Sequence, residues 1–168
     1  QGRKIAHRFV RGVMRSRASL SYGEVQAVID GNGEGGRCAA LREPVLEPLY
    51  AAYRALRLAR AERQPLDLDL PERRIVLSDE GRVTSVAFAE RHDAHRLIEE
   101  YMVLANVAAA EELIRLRRPL LFRVHEEPSP DKLDALREVA EASGFTLARG
   151  QVLATRHLNH LLAQAEGT

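Results

Sequence analysis

The sequence predicts an α+β fold: mixed and helix-rich, with short strands, a hairpin and a long central helix. Three observations carry this. Apolar residues recur at helical spacing from about 93 to 116. Two short β-prone runs, 74–77 and 83–88, flank Ser78-Asp79-Glu80-Gly81, a hairpin signal. Helical and extended patterns then mix without a regular βαβ alternation. At 168 residues, 45% hydrophobic and 29% charged, the chain can build a core and has the size of one domain or of a piece of a larger one.

In chain order, residues 3–17 read as an extended, basic segment, a strand with imperfect alternation of Ile5, Phe9, Val10 and Val13. Ser21-Tyr22-Gly23-Glu24 matches a capping box and opens a short helix to about Ile29. Residues 30–36, with four glycines, read as an exposed loop. A longer helix should start near Glu43-Pro44, with Pro48 able to delay it, and end at Gln64-Pro65. Leu49, Tyr53, Leu56 and Arg60 mark one of its faces, and Arg54, Arg57, Arg60 and Arg63 a polar stripe. Leu66, Leu68 and Leu70 alternate with Asp67 and Asp69, which predicts extended chain with one buried side. After the hairpin and the central helix comes a short buried strand at 120–124. Ser129-Pro130-Asp131 caps a helix through Ala142 that Gly144 ends, and 152–164 form a last amphipathic helix.

Composition narrows the function classes. A net charge of +1 gives no global pull toward nucleic acid. Arg3, Lys4, Arg8, Arg11, Arg15 and Arg17 nevertheless lie in a first stretch without any acid, a patch that can meet phosphates or simply be solvated. The single cysteine, Cys38, excludes an internal disulfide and a multi-cysteine zinc site, and fits a reducing cytosol. No stretch reaches the roughly 20 apolar residues of a membrane helix, so no membrane partner is expected.

The residue types of a metal site occur, but thinly. Asp67 and Asp69 would point to one side of a strand, yet cation chemistry on phosphodiesters asks for more carboxylates, and a solvated strand face is the commoner reading. His92, Asp93 and His95 lack the HExxH geometry, and His157 and His160 only repeat the same spacing. There is no nucleophile elbow, P-loop or dinucleotide fingerprint, so no complete active site is legible and no catalytic or metal-binding residue is assigned.

HDAHRLIEEYMVLAN, residues 92–106, puts Glu99, Glu100 and Asn106 into an otherwise apolar helix. At about 100° per residue, Glu99 and Asn106 share one line and Glu100 points elsewhere. A buried carboxylate without a partner costs several kcal/mol, so an inward glutamate must meet an arginine or a ligand hydroxyl. The spacing leaves both readings open.

RHDAHRLIEEYMVLANVAAAEEL resembles the internal helix of the catalytic (RNB) domain of bacterial ribonuclease R and ribonuclease II exoribonucleases. VMRSRASLSYGEVQAVIDG, ARAERQPLDLDLPER and PLLFRVHEEPSPDKLDALREVAEASGF are similar to other blocks of that domain, in the same order. The resemblance implies that 1–168 is the middle of one RNB domain. The acidic motif that holds Mg²⁺ would precede Gln1, and the SPIRRY segment with its arginines would follow Thr168. It implies a cytoplasmic parent enzyme that degrades single-stranded RNA from the 3′ end to nucleoside 5′-monophosphates. This segment would supply channel wall and scaffold, hold no Mg²⁺ of its own, and cut nothing by itself. The remainder of the catalytic domain would be its partner, and the excised piece would be prone to self-association. Glu100 matches a glutamate that touches the nucleotide chain, with Glu99 and Asn106 supporting it. Leu68 stands where relatives place a base-stacking phenylalanine. The alternative is a non-catalytic RNA- or protein-binding module derived from such a domain.

Overall fold

The computed structural model describes residues 2–33, 36–66, 68, 73–88, 90–147 and 154–165. Two compact units emerge, Gln1–Arg60 with Leu70–Pro119 and Ala61–Asp69 with Leu120–Thr168.

In the first unit, α1 (Tyr22–Ile29) begins at the capping box the sequence announces. The Glu24 amide donates to Ser21 Oγ at 3.3 Å, and the Ser21 amide donates to Glu24 Oε2 at 2.8 Å. The Ser21 hydroxyl, donating to Glu24 Oε2 at 2.7 Å, and then the Ser21 amide hold the Glu24 carboxyl below the usual carboxylate range. Gly31, at φ 80°, turns the chain out of α1. Past the glycine-rich stretch read as loop, a short helix that the sequence does not announce follows, α2 (Gly36–Ala40). A π-helical turn, Arg42–Leu46, follows before α3 (Glu47–Arg63). Pro44 and Pro48 explain the delay. Neither can donate a backbone hydrogen bond, so the amides of Val45 and Leu46 both reach back to Leu41 O, at 3.1 and 3.0 Å.

Two apolar clusters make this unit's core. Val28, Cys38 and Leu46 pack with Leu20, Val25 and Leu41, joining α1, α2 and the π-turn. Tyr50, Tyr53 and Leu97 pack with Leu49 and Tyr101, joining α3 to α4 (Asp93–Arg115). Tyr53, at 1% exposure, is the largest sealed side chain among the described residues. Gln26 staples the elements: its Oε1 accepts from the Ala94 amide at 3.1 Å and from the Tyr50 hydroxyl at 3.4 Å. The helix α4 ends in a Schellman turn, with Arg117 at φ 51° and the Arg118 amide donating to Leu113 O at 2.9 Å.

The hairpin pairs β1 (Arg73–Leu77) with β2 (Val83–Phe88) antiparallel, Ile75 opposite Val86, with a bulge between Val76 and Leu77. Both strands are exposed along their whole length, Ile75, Val76, Val86 and Phe88 included.

Two expected strands do not form. Residues 3–17 adopt no regular structure and join no ladder among the described residues, and the same holds for 120–124. Extended propensity is local, whereas a strand needs a neighbour for its amides. The first segment is instead pinned by side chains, Lys4 to Glu111 and His7 to Glu111 and Glu112 at 3.7 Å each.

In the second unit, α5 (Pro130–Ala142) buries Arg137 and Ala140. Ser129 takes the N-cap position but makes no side-chain capping bond, a correction to the expected cap. A Schellman turn at Gly144 closes α5, the Phe145 amide donating to Ala140 O at 2.8 Å. The last helix, α6 (Thr155–Ala165), is tied to the chain after α3: Thr155 Oγ1 donates to Gln64 O at 2.7 Å and Asn159 Nδ2 to Pro65 O at 2.9 Å.

Candidate functional site

Four charged side chains converge where α3 meets α4. Glu100 lies on the inward face of α4 with Ala94, Leu97 and Ala108, and is only 6% exposed. Its Oε1 accepts from Arg60 Nη1 at 2.8 Å. The same Arg60 nitrogen stands 3.7 Å from Glu99 Oε1, and Arg91 Nη2 donates to Glu99 Oε2 at 2.6 Å. The chain Arg91–Glu99–Arg60–Glu100 thus balances two cations against two carboxylates. The inward glutamate meets an arginine, and the other stands near the surface with its side chain 42% exposed. One turn earlier, Arg57 lies 3.8 Å from Asp93 and over the Tyr53 ring, and the Tyr53 hydroxyl donates to Asp93 at 3.2 Å. Burial, with Asp93 adding to it, pushes the Tyr50 phenol up to about 12, and raises Tyr53 for the same two reasons.

Asn106 is exposed on α4, seven residues beyond Glu99 and on its line. The stripe beside it is apolar and open to solvent: Ile98, Met102, Val103 and Val107 are all exposed, Met102 at 60%. Leu68 is 48% exposed and belongs to the other unit, while Asp67 and Asp69 lie outside the described residues.

The histidine pairs have another use. His95 Nδ1 accepts from the His92 amide at 3.1 Å, closing the first turn of α4, and its ring stacks on Tyr22 with centroids 4.0 Å apart. His157 Nδ1 does the same for the Ala154 amide at 3.2 Å. A histidine three residues into a helix here replaces the glutamate of a capping box. Among the described residues no three His, Cys, Asp or Glu side chains converge as metal donors. The sequence showed the arginine stripe of α3 but not its target. Arg60 and Arg91 as partners of the two glutamates, and Gln26 as a staple, went unread because each depends on how α1, α3 and α4 pack.

The RNB domain family matches residues 1–167. The chain belongs to the RNB family. Within it, ribonuclease R of Escherichia coli K12 is 33% identical over 162 residues, covering 96% of this RNB chain and 20% of that protein. Ribonuclease R of Aquifex aeolicus is 34% identical over 163 residues, covering 96% of the chain and 23% of that protein. The RNB chain therefore spans about a fifth of the length of such relatives. In structure it is similar to Mycoplasma genitalium RNase R in complex with ribose-methylated single-stranded RNA, with a TM-score of 0.76 and 23% identity over 88% of this chain and 23% of that one. The same enzyme in complex with double-stranded RNA gives 0.77 and 22%, over 89% of this chain and 26% of that one. The helix-rich fold with its hairpin is that of part of an RNB domain.

Proposed function

We propose that this chain is part of a 3′→5′ exoribonuclease that hydrolyses single-stranded RNA to nucleoside 5′-monophosphates in the cytoplasm, and that α4 forms a wall of its RNA channel. The observation that carries the reading is the RNB match over 1–167, almost the whole chain. In this reading Glu100 accepts a hydrogen bond from a ribose hydroxyl, the group that distinguishes RNA from DNA. Glu99 and Asn106 support it from the adjoining line of α4, and Leu68 covers the face of a terminal base.

Two further features support a role as wall and scaffold. The hairpin and the Ile98–Val107 stripe leave apolar side chains in water, as surfaces do when another part of a domain covers them. The remainder of the catalytic domain is the proposed occupant, with a second copy of the chain as the substitute when the segment stands alone. The Mg²⁺ implied by the resemblance has no fitting donor set among the described residues.

The test uses the full-length protein that carries this segment, a 5′-labelled single-stranded RNA and Mg²⁺. The expected result is stepwise shortening from the 3′ end with release of nucleoside 5′-monophosphates, and resistance of the same sequence as DNA. Tight RNA binding without shortening would replace this reading with that of a binding module.

A further inference from the structure

The two glutamates of α4 are not equivalent. Glu99 has a cation at each oxygen, Arg60 at 3.7 Å and Arg91 at 2.6 Å. Glu100 has one, Arg60 at 2.8 Å on Oε1, and its Oε2 accepts nothing among the described residues. No buried side-chain oxygen there is both sealed and unpartnered, so Oε2 keeps a narrow opening to solvent although the side chain is only 7% exposed. Arg60 therefore holds one oxygen of Glu100 and restricts the carboxylate rotation that would redirect the other. A guanidinium suits this task because its N–H groups are fixed in one plane, so Nη1 donates to Glu100 Oε1 at a set angle while staying 3.7 Å from Glu99 Oε1; a freely rotating ammonium lacks that fixed direction.

We propose that Arg60 is a positioning residue for ribose recognition: it aims Glu100 Oε2 at the sugar hydroxyl and is itself held in register by Glu99, which Arg91 anchors. This rests on the assignment of Glu100 to the RNA chain. Arg60 touches no nucleotide in this arrangement. Its influence on the substrate passes through Glu100.

The experiment compares kcat/KM for an RNA oligonucleotide with that for the same oligonucleotide carrying 2′-deoxyriboses near its 3′ end, in the full-length protein. Four variants are needed: Glu100→Gln, Arg60→Gln, Arg60→Lys and Glu99→Gln. A hydrogen bond to a charged group that loses its aim should cost the preference for ribose about tenfold or more. Glu100→Gln and Arg60→Gln are each expected to lose that much, and Glu99→Gln, which loosens Arg60 from its 3.7 Å contact without removing it, a smaller but measurable part of it. Arg60→Lys, which keeps the charge and guards against a misfolded Arg60→Gln, should fall between wild type and Glu100→Gln at normal thermal stability. If Glu100→Gln lowers the preference while Arg60→Gln, or Arg60→Lys where the former does not fold, leaves it at the wild-type value, Arg60 merely packs and the inference is overturned. If Glu100→Gln also leaves the preference unchanged, it is the assignment of Glu100 to RNA that fails, and the inference with it.

Discussion

Removing Arg60 should destabilise this protein more than removing either glutamate it serves. Arg60→Ala leaves the Glu100 carboxylate buried, 6% exposed, with no cation at 2.8 Å. Breaking a fully buried ion pair costs about 3–5 kcal/mol, and an exposed pair is worth about 0–1 kcal/mol. With one partner 7% and the other 30% exposed, the Arg60 deletion belongs nearer the first range, about 3 kcal/mol. Glu100→Ala removes the buried charge itself and leaves Arg60 in partial contact with water and 3.7 Å from Glu99, so about 1 kcal/mol is expected. Glu99→Ala, at a side chain 42% exposed, should cost about 0.5 kcal/mol. Tyrosine fluorescence follows the right unit, because Tyr22, Tyr50, Tyr53 and Tyr101 are the only tyrosines, all lie in the first unit, and there is no tryptophan. Urea titrations read by that signal should rank the midpoints Glu99→Ala above Glu100→Ala above Arg60→Ala. Equal losses for Arg60→Ala and Glu100→Ala, or the largest loss for Glu99→Ala, would refute the reasoning.

Other perturbations address the fold and its charges. Tyr50 holds its neutral form up to about 12 against its ordinary 10.0, so the stability it contributes is complete below pH 10 and drains as pH climbs toward 12. Urea midpoints followed by circular dichroism should therefore fall across that window, and fall less in Tyr50→Phe. Ser21→Ala removes the α1 cap and should cost about 1 kcal/mol, with faster hydrogen exchange at the Glu24 amide, which donates to Ser21 Oγ at 3.3 Å. Arg117→Gly relieves a left-handed residue at φ 51° in the Schellman turn of α4 and should raise stability by about 0.5–1 kcal/mol. An unchanged or lower urea midpoint would contradict that account of the turn.

What could be read in the sequence divides along a physical line. Caps and turns are written in neighbouring residues, so Ser21 with Glu24, the turn at Ser78–Gly81, α4 and the Gly144 stop of α5 were all legible. The extended patterns at 3–17 and 120–124 form no strand among the described residues because pairing depends on a partner that neighbouring residues do not specify. The two prolines were legible as a delay, but not the π-turn they enforce at Arg42–Leu46 or the helix α2 before it. Likewise, helical geometry separated Glu100 from Glu99 but could not say which faced inward. That depends on α3, whose Tyr53 and Leu49 seat α4 and so place Arg60 against Glu100. Spacing alone makes the histidines candidate ligands, whereas the packed helix starts use His95 and His157 as caps.

The central claim, that these residues form wall and scaffold for a nuclease whose cutting centre is built elsewhere, is tested most directly with the isolated 168-residue chain. It is incubated with Mg²⁺ and 5′-labelled single-stranded RNA beside the full-length protein, and the products are resolved at single-nucleotide steps. The account predicts a ladder receding from the 3′ end for the full-length protein and intact RNA for the isolated chain. Shortening of the RNA by the isolated chain would contradict it.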